Sequence, residues 1–385
     1  MPETRKIVIV GPAHPLRGGG MSTFNERLAR AYVDAGAQVK IFSFSLQYPS
    51  FLFPGKSQFT DEPAPEGLSI RSTINSINPI SWFRTGKTIR KLKPELVIIR
   101  YWIPFMGPAL GTIARRIRKN KKTKIIAITD NVIPHEKRAG DKALTRYFLK
   151  PIHGFITMSQ SVMDDLKIFD RKKPRALCLH PLYDNYGDPI PRKQALEALG
   201  LPEEQHYLLS FGLVRKYKGL DLLLHALASD KLSHLPLKLI VAGEFYDDFE
   251  IYRQLVSDLG ISDKVIMDNE FIPNAEVVRY FCAGDLVVQP YRDATQSGVT
   301  QVAYHFDKPM VVSNVGALPE MVPDGKAGYV VEPEAEQIAE AIRKYFDERK
   351  EEEFKVNVRE EKKKYSWDVF LEAIDKLTAE INIKG

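Results

Sequence analysis

Short apolar, β-branched runs alternate with amphipathic segments along the whole chain. Lys6–Val10 (KIVIV) ends in Gly11 and reads as a buried parallel strand, because a strand covered on both faces loses its polar alternation. From about Ser22, Phe24, Leu28, Ala31, Tyr32 and Ala35 recur at helical spacing until Gly36, and Thr23 with Glu26 predicts a capping box. Further strands are predicted at Gln38–Phe44, Glu95–Arg100, Lys124–Thr129 and Gly154–Met158. Tyr48–Pro65 reads as a surface excursion with no regular pattern. Leu182–Lys193, dense in Pro, Gly, Asp and Asn, reads as a linker. Strands then restart at His206–Phe211, Leu237–Ala242, Lys264–Asp268, Asp285–Gln289, Met310–Ser313 and Gly328–Val331. Such regular alternation predicts an α/β chain with two parallel-sheet domains, residues 1–185 and 186–365, facing a cleft. Glu348–Lys364 reads as a solvated helix. Residues 366–385 carry an apolar stripe of Trp367, Phe370, Ile374 and Leu377, expected to pack back on the first domain.

Composition narrows the class. A chain of 385 residues with 44% hydrophobic and 27% charged positions suits two globular domains and argues against disorder. Cys178 and Cys282 have no metal-ligand spacing, which points to a reducing compartment. The first apolar run is too short for a signal peptide and no stretch reaches membrane-spanning length, so a cytoplasmic protein is expected. Charge is unevenly divided. Through Ile190 there are 31 Lys and Arg against 15 Asp and Glu, a net of +16; the remainder has 24 against 34, a net of −10. The excess gathers in Arg84–Lys93 and Arg115–Lys124, which reads either as solvated helix and loop or as a surface for anionic lipid, polyanionic glycan or nucleic acid. Neither run has interleaved aromatics or a recognition motif, which speaks against nucleic acid.

Candidate chemistry lies at strand ends. In Phe211–Leu220 (FGLVRKYKGL), Gly212 lets the backbone turn out of a strand, and Arg215 and Lys218 bracket the first turn of the helix expected next. Cations beside free helix N–H groups form an anion site, commonly for phosphate; the plain alternative is a solvated basic loop. Ala294–Val299 (ATQSGV) again follows a strand and opens an apolar helix, so two phosphate-type turns suggest a diphosphate held between them. Gly18, Gly19 and Gly20 are either a flexible turn or a close approach of backbone to ligand. They arrive too late after the first strand for a dinucleotide fingerprint, and the second strand ends without an acid. Asp130 and His135, in Thr129–Arg138, are a titratable pair at a strand's carboxyl end, although a lone Asp there is also a common turn-former. His14, His153 and His180 read as structural.

With RGGGMSTF, TDNVIPHE, FGLVRKYKGLDLLLHAL, VAGEF, FIPNAEVVRYFCAGDLVVQPY, the SGV turn, KPMVVSNVGALPEMVPDGKAGYVVEP and YSWDVF in family order, the chain resembles the GT-B glycosyltransferases of glycosyltransferase family 4. The resemblance implies two Rossmann-like domains and transfer of a hexosyl group from a nucleotide diphosphate sugar, with retention at the anomeric carbon. It implies no required metal or other cofactor, and no Asp-x-Asp occurs. By the same resemblance Arg215 and Lys218 hold the leaving diphosphate, with Ser297, Gly298 and Val299 adding backbone donors. Phe271 and Ile272, after Glu270, line the base; Gly243 and Glu244 stand at the neighbouring strand end; and Gly18–Gly20 form the loop near diphosphate and acceptor. Members commonly carry two glutamates with seven residues between them where this chain has Ala294 and Val302, leaving Gln296, Thr300 or Gln301 as substitutes. A histidine often stands where this chain has Asp130, so Asp130 and His135 are read toward the sugar and acceptor. The implied partners are a nucleotide sugar and a glycan or lipid-linked acceptor in surface polysaccharide or glycolipid assembly, with the basic domain toward an anionic membrane. Rival readings are an epimerase or phosphorylase of the same fold, and a non-catalytic nucleotide-sugar or lipid-binding scaffold.

Overall fold

The structure is a computed structural model. It describes residues 4–18, 20–49, 57–134, 138–294 and 297–383. The chain divides into two compact units: Met1–Pro181 together with Ser366–Gly385, and Leu182–Tyr365.

The first unit is built on a seven-stranded sheet: β1 (Lys6–Val10), β2 (Gln38–Leu46), β3 (Ser69–Asn75), β4 (Leu96–Tyr101), β5 (Lys124–Thr129), β6 (Gly154–Thr157) and β7 (Arg175–Leu177). The order is β3-β2-β1-β4-β5-β6-β7 with every pair parallel. Chain direction across the sheet therefore reverses between β1 and β4. All six residues of β4 (LVIIRY) are buried, as a strand covered on both faces requires, and one of them is Arg100. Sheet and helices close over a core of Val10, Phe42, Phe44, Ile99, Leu110, Ile113, Phe148 and their neighbours.

Two elements of this unit depart from the sequence reading. The helix Met21–Asp34 is capped by the backbone of Gly20 with no side-chain cap. Thr23 is fully buried inside it, and Glu26 Oε1 instead accepts the His14 amide at 2.7 Å, so the predicted capping box does not form. Strand β3 was not anticipated because only Ile74 in SIRSTIN is buried. It survives as an edge strand through a bulged pairing with β2 around Ser43 and Phe44.

The terminal helix Trp367–Glu380 belongs to this same unit. Phe24 meets the rings of Trp367 and Phe370 at 5.2 and 5.6 Å, Arg5 pairs with Asp375 at 2.8 Å, and Lys124 Nζ donates to the Thr378 carbonyl.

The second unit carries β8 (His206–Phe211), β9 (Leu237–Ala242), β10 (Val265–Asp268), β11 (Leu286–Gln289), β12 (Met310–Ser313) and β13 (Gly328–Val331). Their order is β10-β9-β8-β11-β12-β13, again wholly parallel. The switch point is between β8 and β11, and in open α/β sheets the crevice at the carboxyl ends beside such a point is where ligands bind. The helix Glu351–Glu361 buries Phe354 and Val358 and leaves its charges outside.

Candidate active site

Three loops meet at the carboxyl edge of the second sheet beside that switch. The first leaves β8 through Gly212 (φ 91°). The adjoining turn after β9 is held against it: a Cβ on Gly243 would sit 2.4 Å from the Gly212 carbonyl oxygen, so only glycine allows the two strand ends to touch. Val214 N–H then donates to the Glu244 carbonyl at 2.9 Å, and Tyr246 N–H to the Val214 carbonyl at 3.0 Å, extending the pairing beyond the sheet.

Arg215 and Lys218 do not bracket the first turn of an α-helix. Arg215 caps and Lys218 ends a 3-10 turn, Lys216–Lys218, and the α-helix Leu220–Leu227 begins only after Gly219. The reason is local: Gly219 has φ 67°, and a Cβ there would fall 2.0 Å from the Pro290 carbonyl oxygen, so the chain must turn left-handed beneath the neighbouring loop before the helix can start.

Arg292 fastens these two loops. Its guanidinium forks onto Asp221 at 2.7 and 2.6 Å and reaches the Lys216 carbonyl at 3.1 Å, while its N–H donates to the Tyr217 carbonyl at 2.7 Å. That clamp holds Asp221 below its ordinary pKa, against the opposing effect of burial, and it fixes the backbone that carries Lys218. The sequence reading did not single out either partner. Arg292 lies 71 positions from Asp221, and Asp221 sits inside an apolar helix, so no spacing rule links them.

The Lys218 ammonium makes no hydrogen bond or ion pair among the described residues. Its Nζ stands 5.6 Å from the Tyr291 ring centroid and 3.4 Å from where a Gly212 Cβ would be, while Val299 Cγ2 is 3.6 Å from that same point. Lys218, Gly212 and Val299 thus converge on one small volume. Burial, and secondarily the Arg215 charge, bring the ammonium down to about 8. Arg215 is exposed, lies 4.9 Å from the Tyr246 ring centroid, and has no carboxylate partner among the described residues.

The third loop enters the helix Gly298–His305 at Ser297. Ser297 Oγ donates to Gln289 Oε1 at 2.5 Å and accepts the Thr300 N–H at 3.4 Å; Thr300 Oγ1 contacts both ends of the Gln289 amide at 3.1 and 3.2 Å. The Ser297 and Thr300 side chains are therefore occupied in seating the helix on β11, and what this turn offers a ligand is the backbone of Gly298 and Val299, whose N–H groups lie in the first, unpaired turn. Gly298 is obligatory for packing, since a Cβ would lie 2.9 Å from the Tyr183 ring. Gln296 lies outside the described residues. Ala294 and Val302, at the positions where acids were expected, are buried. Both amide atoms of the adjacent Gln301 are buried without a partner among the described residues. Phe271 and Ile272 are half-buried after β10, where Asn269 Oδ1 receives the Phe245 N–H at 3.0 Å; Glu244 is buried.

In the first unit, Gly20 adopts φ 52° as the cap of its helix, Gly18 precedes it, and Gly19 and His135 lie outside the described residues. Asp130 is 6% exposed and takes both Arg100 Nε and Nη2 at 2.6 Å. The Arg100 guanidinium lies 3.9 Å from the Phe24 ring centroid, and His180, pushed down to about 3 by burial and by Arg100, stays neutral beside Phe24. The carboxylate is thus engaged with a buried cation. Arg100 could have been found from sequence, as the one charge in an otherwise apolar strand.

A model of the family described as glycosyl transferases group 1 matches residues 191–378. The chain is 26% identical over 340 residues to a D-inositol 3-phosphate glycosyltransferase of Thermobifida fusca, covering 82% of this chain and 77% of that protein. It is 28% identical over 355 residues to D-inositol 3-phosphate glycosyltransferase 1 of Catenulispora acidiphila, covering 86% and 83%. Anabaena HepE, solved in complex with UDP and glucose, superposes with a TM-score of 0.74 at 15% identity over 97% of this chain and all of that one. The chain is a glycosyltransferase with the GT-B fold, and its residues 191–378 match the group 1 family. No described helix of this glycosyltransferase is long and apolar enough to cross a membrane.

Proposed function

We propose that this glycosyltransferase moves a hexosyl group from a nucleoside diphosphate sugar to a glycan or lipid-linked acceptor, with retention at the anomeric carbon and without a metal. The observation that carries the reading is a pair of cations, Lys218 and Arg215, on the loop after β8 beside the switch point, with no anion to satisfy them among the described residues. When the bond between the anomeric carbon and the diphosphate oxygen breaks, negative charge grows on that oxygen. A fixed ammonium and guanidinium beside it stabilise that charge more than they stabilise the intact donor, which is how a static arrangement lowers a barrier. The N–H groups of Gly298 and Val299 add donors for the same phosphates. Gly212 contributes by having no side chain where the diphosphate would lie.

The donor base is read by the turn after β10, where Phe271 and Ile272 offer an apolar wall. HepE was crystallised with UDP, which makes uridine the first base to test. The names of the inositol-phosphate relatives make a phosphorylated polyol an acceptor to include beside glycan and polyprenyl-linked ones. The experiment is a matrix of UDP-, GDP- and ADP-sugars against those acceptors, with and without a chelator. Product anomers are assigned by NMR coupling constants. Transfer with net retention that survives chelation is expected. An inverted product, or failure of every nucleoside diphosphate to bind, overturns the reading.

A further inference from the structure

Between Arg71 and Thr129 the chain carries fourteen lysines and arginines and one acid, Glu95, which pairs with Arg5 at 3.0 Å. The helix Pro79–Leu92 presents part of that charge in one line: beyond Pro79 at its start, Ile80, Phe83, Arg84, Lys87 and Lys91 are its exposed residues, at spacings of three and four that place them on one stripe. Its other side is fixed. Thr85, Gly86 and Ile89 are buried, and a Cβ on Gly86 would lie 2.7 Å from Arg116 Cβ on the neighbouring helix Gly107–Arg118, so the two helices pack backbone to backbone. Arg116 then emerges alongside the stripe, 5.1 Å from the Phe83 ring centroid.

Three features set this face apart from an ordinary solvated one. The first is that Arg84, Lys87 and Lys91 have no carboxylate partner among the described residues, whereas the charged helix Glu351–Glu361 neutralises itself through Lys355 with Glu352, Lys350 with Glu353 and Lys363 with Glu360. Secondly, the helix dipole favours only the cations of the last turn, Arg90 and Lys91, and gives Arg84 nothing. Thirdly, large apolar side chains cluster where the stripe begins: Ile77, Ile80 and Phe83 are 53%, 60% and 47% exposed. A row of unpaired cations ending in exposed aliphatic and aromatic groups matches a surface that is anionic outside and apolar just beneath. We propose that this face of the Pro79–Leu92 helix docks on an anionic phospholipid bilayer, with Ile77, Ile80 and Phe83 entering the interface and Arg84, Lys87, Lys91 and Arg116 meeting headgroups. A nucleic-acid strand would satisfy the cations and leave the aliphatic residues in water, so lipid is the better match.

The test uses the full chain and vesicle flotation, comparing phosphatidylcholine alone with phosphatidylcholine mixed with phosphatidylglycerol. Each basic residue near an anionic surface strengthens partitioning about fivefold, so Arg84→Glu/Lys87→Glu/Lys91→Glu is expected to lower it by at least about 100-fold, the value for neutralising three charges. Ile80→Ser/Phe83→Ser is expected to leave low-salt binding and remove the part that resists raised salt. Arg171→Glu/Lys172→Glu, exposed elsewhere on the same unit, should bind as the parent does. Equal binding to both vesicle types overturns the proposal, and so does parental binding by the charge-reversed variant. Capture of single-stranded RNA through the same residues, more tightly than vesicles, overturns it in favour of nucleic acid. All substituted side chains are exposed, so melting curves should match the parent; should the triple variant fail to fold, Lys87→Gln/Lys91→Gln carries the same reading at reduced amplitude. None of these residues is among those assigned to the donor site, so nucleotide binding by the variants separates this proposal from the one above.

Discussion

Each unit places a cation at the carboxyl edge of its sheet beside the switch in strand order, and the two are used in opposite ways. Arg100, the penultimate residue of β4, is buried, stacked on Phe24 and forked onto Asp130. Lys218 follows β8 with no anion beside it among the described residues, its proton loosened by burial and by Arg215. A buried charge that finds its counter-charge inside the chain is part of the scaffold. One that is held by neighbours, such as the Arg292–Asp221 clamp, while itself left unsatisfied is a charge waiting for a ligand. The difference is a matter of partners, since both side chains are cations beside the switch point of their own sheet.

The strongest way to break this contrast is to remove Arg100. Arg100→Met strands the Asp130 carboxylate in the core and is expected to cost about 3–5 kcal/mol in urea unfolding. The double change Arg100→Met/Asp130→Leu should recover most of that loss. If instead stability holds and turnover collapses, Arg100 and Asp130 belong to the chemistry and the contrast fails. Lys218→Ala should do the reverse: kcat/KM down by about 100- to 1000-fold with no loss of stability, since the buried ammonium disfavours folding. Arg215→Ala comes next, with a loss of about 10- to 100-fold in nucleoside diphosphate affinity, since its contact is charge-assisted but solvent-facing. Isothermal titration with the nucleoside diphosphate alone separates this binding loss from slower chemistry.

Much of this was legible in the chain. Strands β1, β5, β8, β9, β12 and β13 follow from runs such as KIVIV and LKLIVA, because a parallel strand buried on both faces has to be continuous and apolar. Lys218 and Gly212 were legible from strand–glycine–cation order. What stayed hidden depends on partners distant in sequence. Thr23 and Glu26 have the spacing of a cap, yet Glu26 goes to His14 because the loop after β1 folds over the helix start. Asp130 reads as a cleft acid until Arg100 is seen thirty positions away on the adjacent strand. The β3 edge has one buried residue and hence almost no hydrophobic signal. The Ser297–Gln289–Thr300 network converts apparent ligand donors into a helix seat, which no local pattern reveals.

The smallest effect is also the most diagnostic, because it turns on a proton. Lys218 titrates at about 8, and only its ammonium form attracts a diphosphate. Affinity for a nucleoside diphosphate should therefore fall as pH rises through 8, approaching about tenfold per pH unit above it, while Arg215 keeps its charge throughout. Folding stability should move the other way. The unfolded lysine keeps the ordinary value of 10.5, so between about 8 and 10.5 the unfolded chain holds more protons than the folded one, and the Lys218 contribution to stability rises with pH across that window. A lysine merely solvated in a loop would show neither trend. Lys218→Arg keeps the charge but has no proton to lose in this range, so it should flatten both profiles even where the longer side chain weakens binding. Parallel profiles for the parent and Lys218→Arg would mean that the titrating group is elsewhere, and that Lys218, like Arg100, belongs to the scaffold.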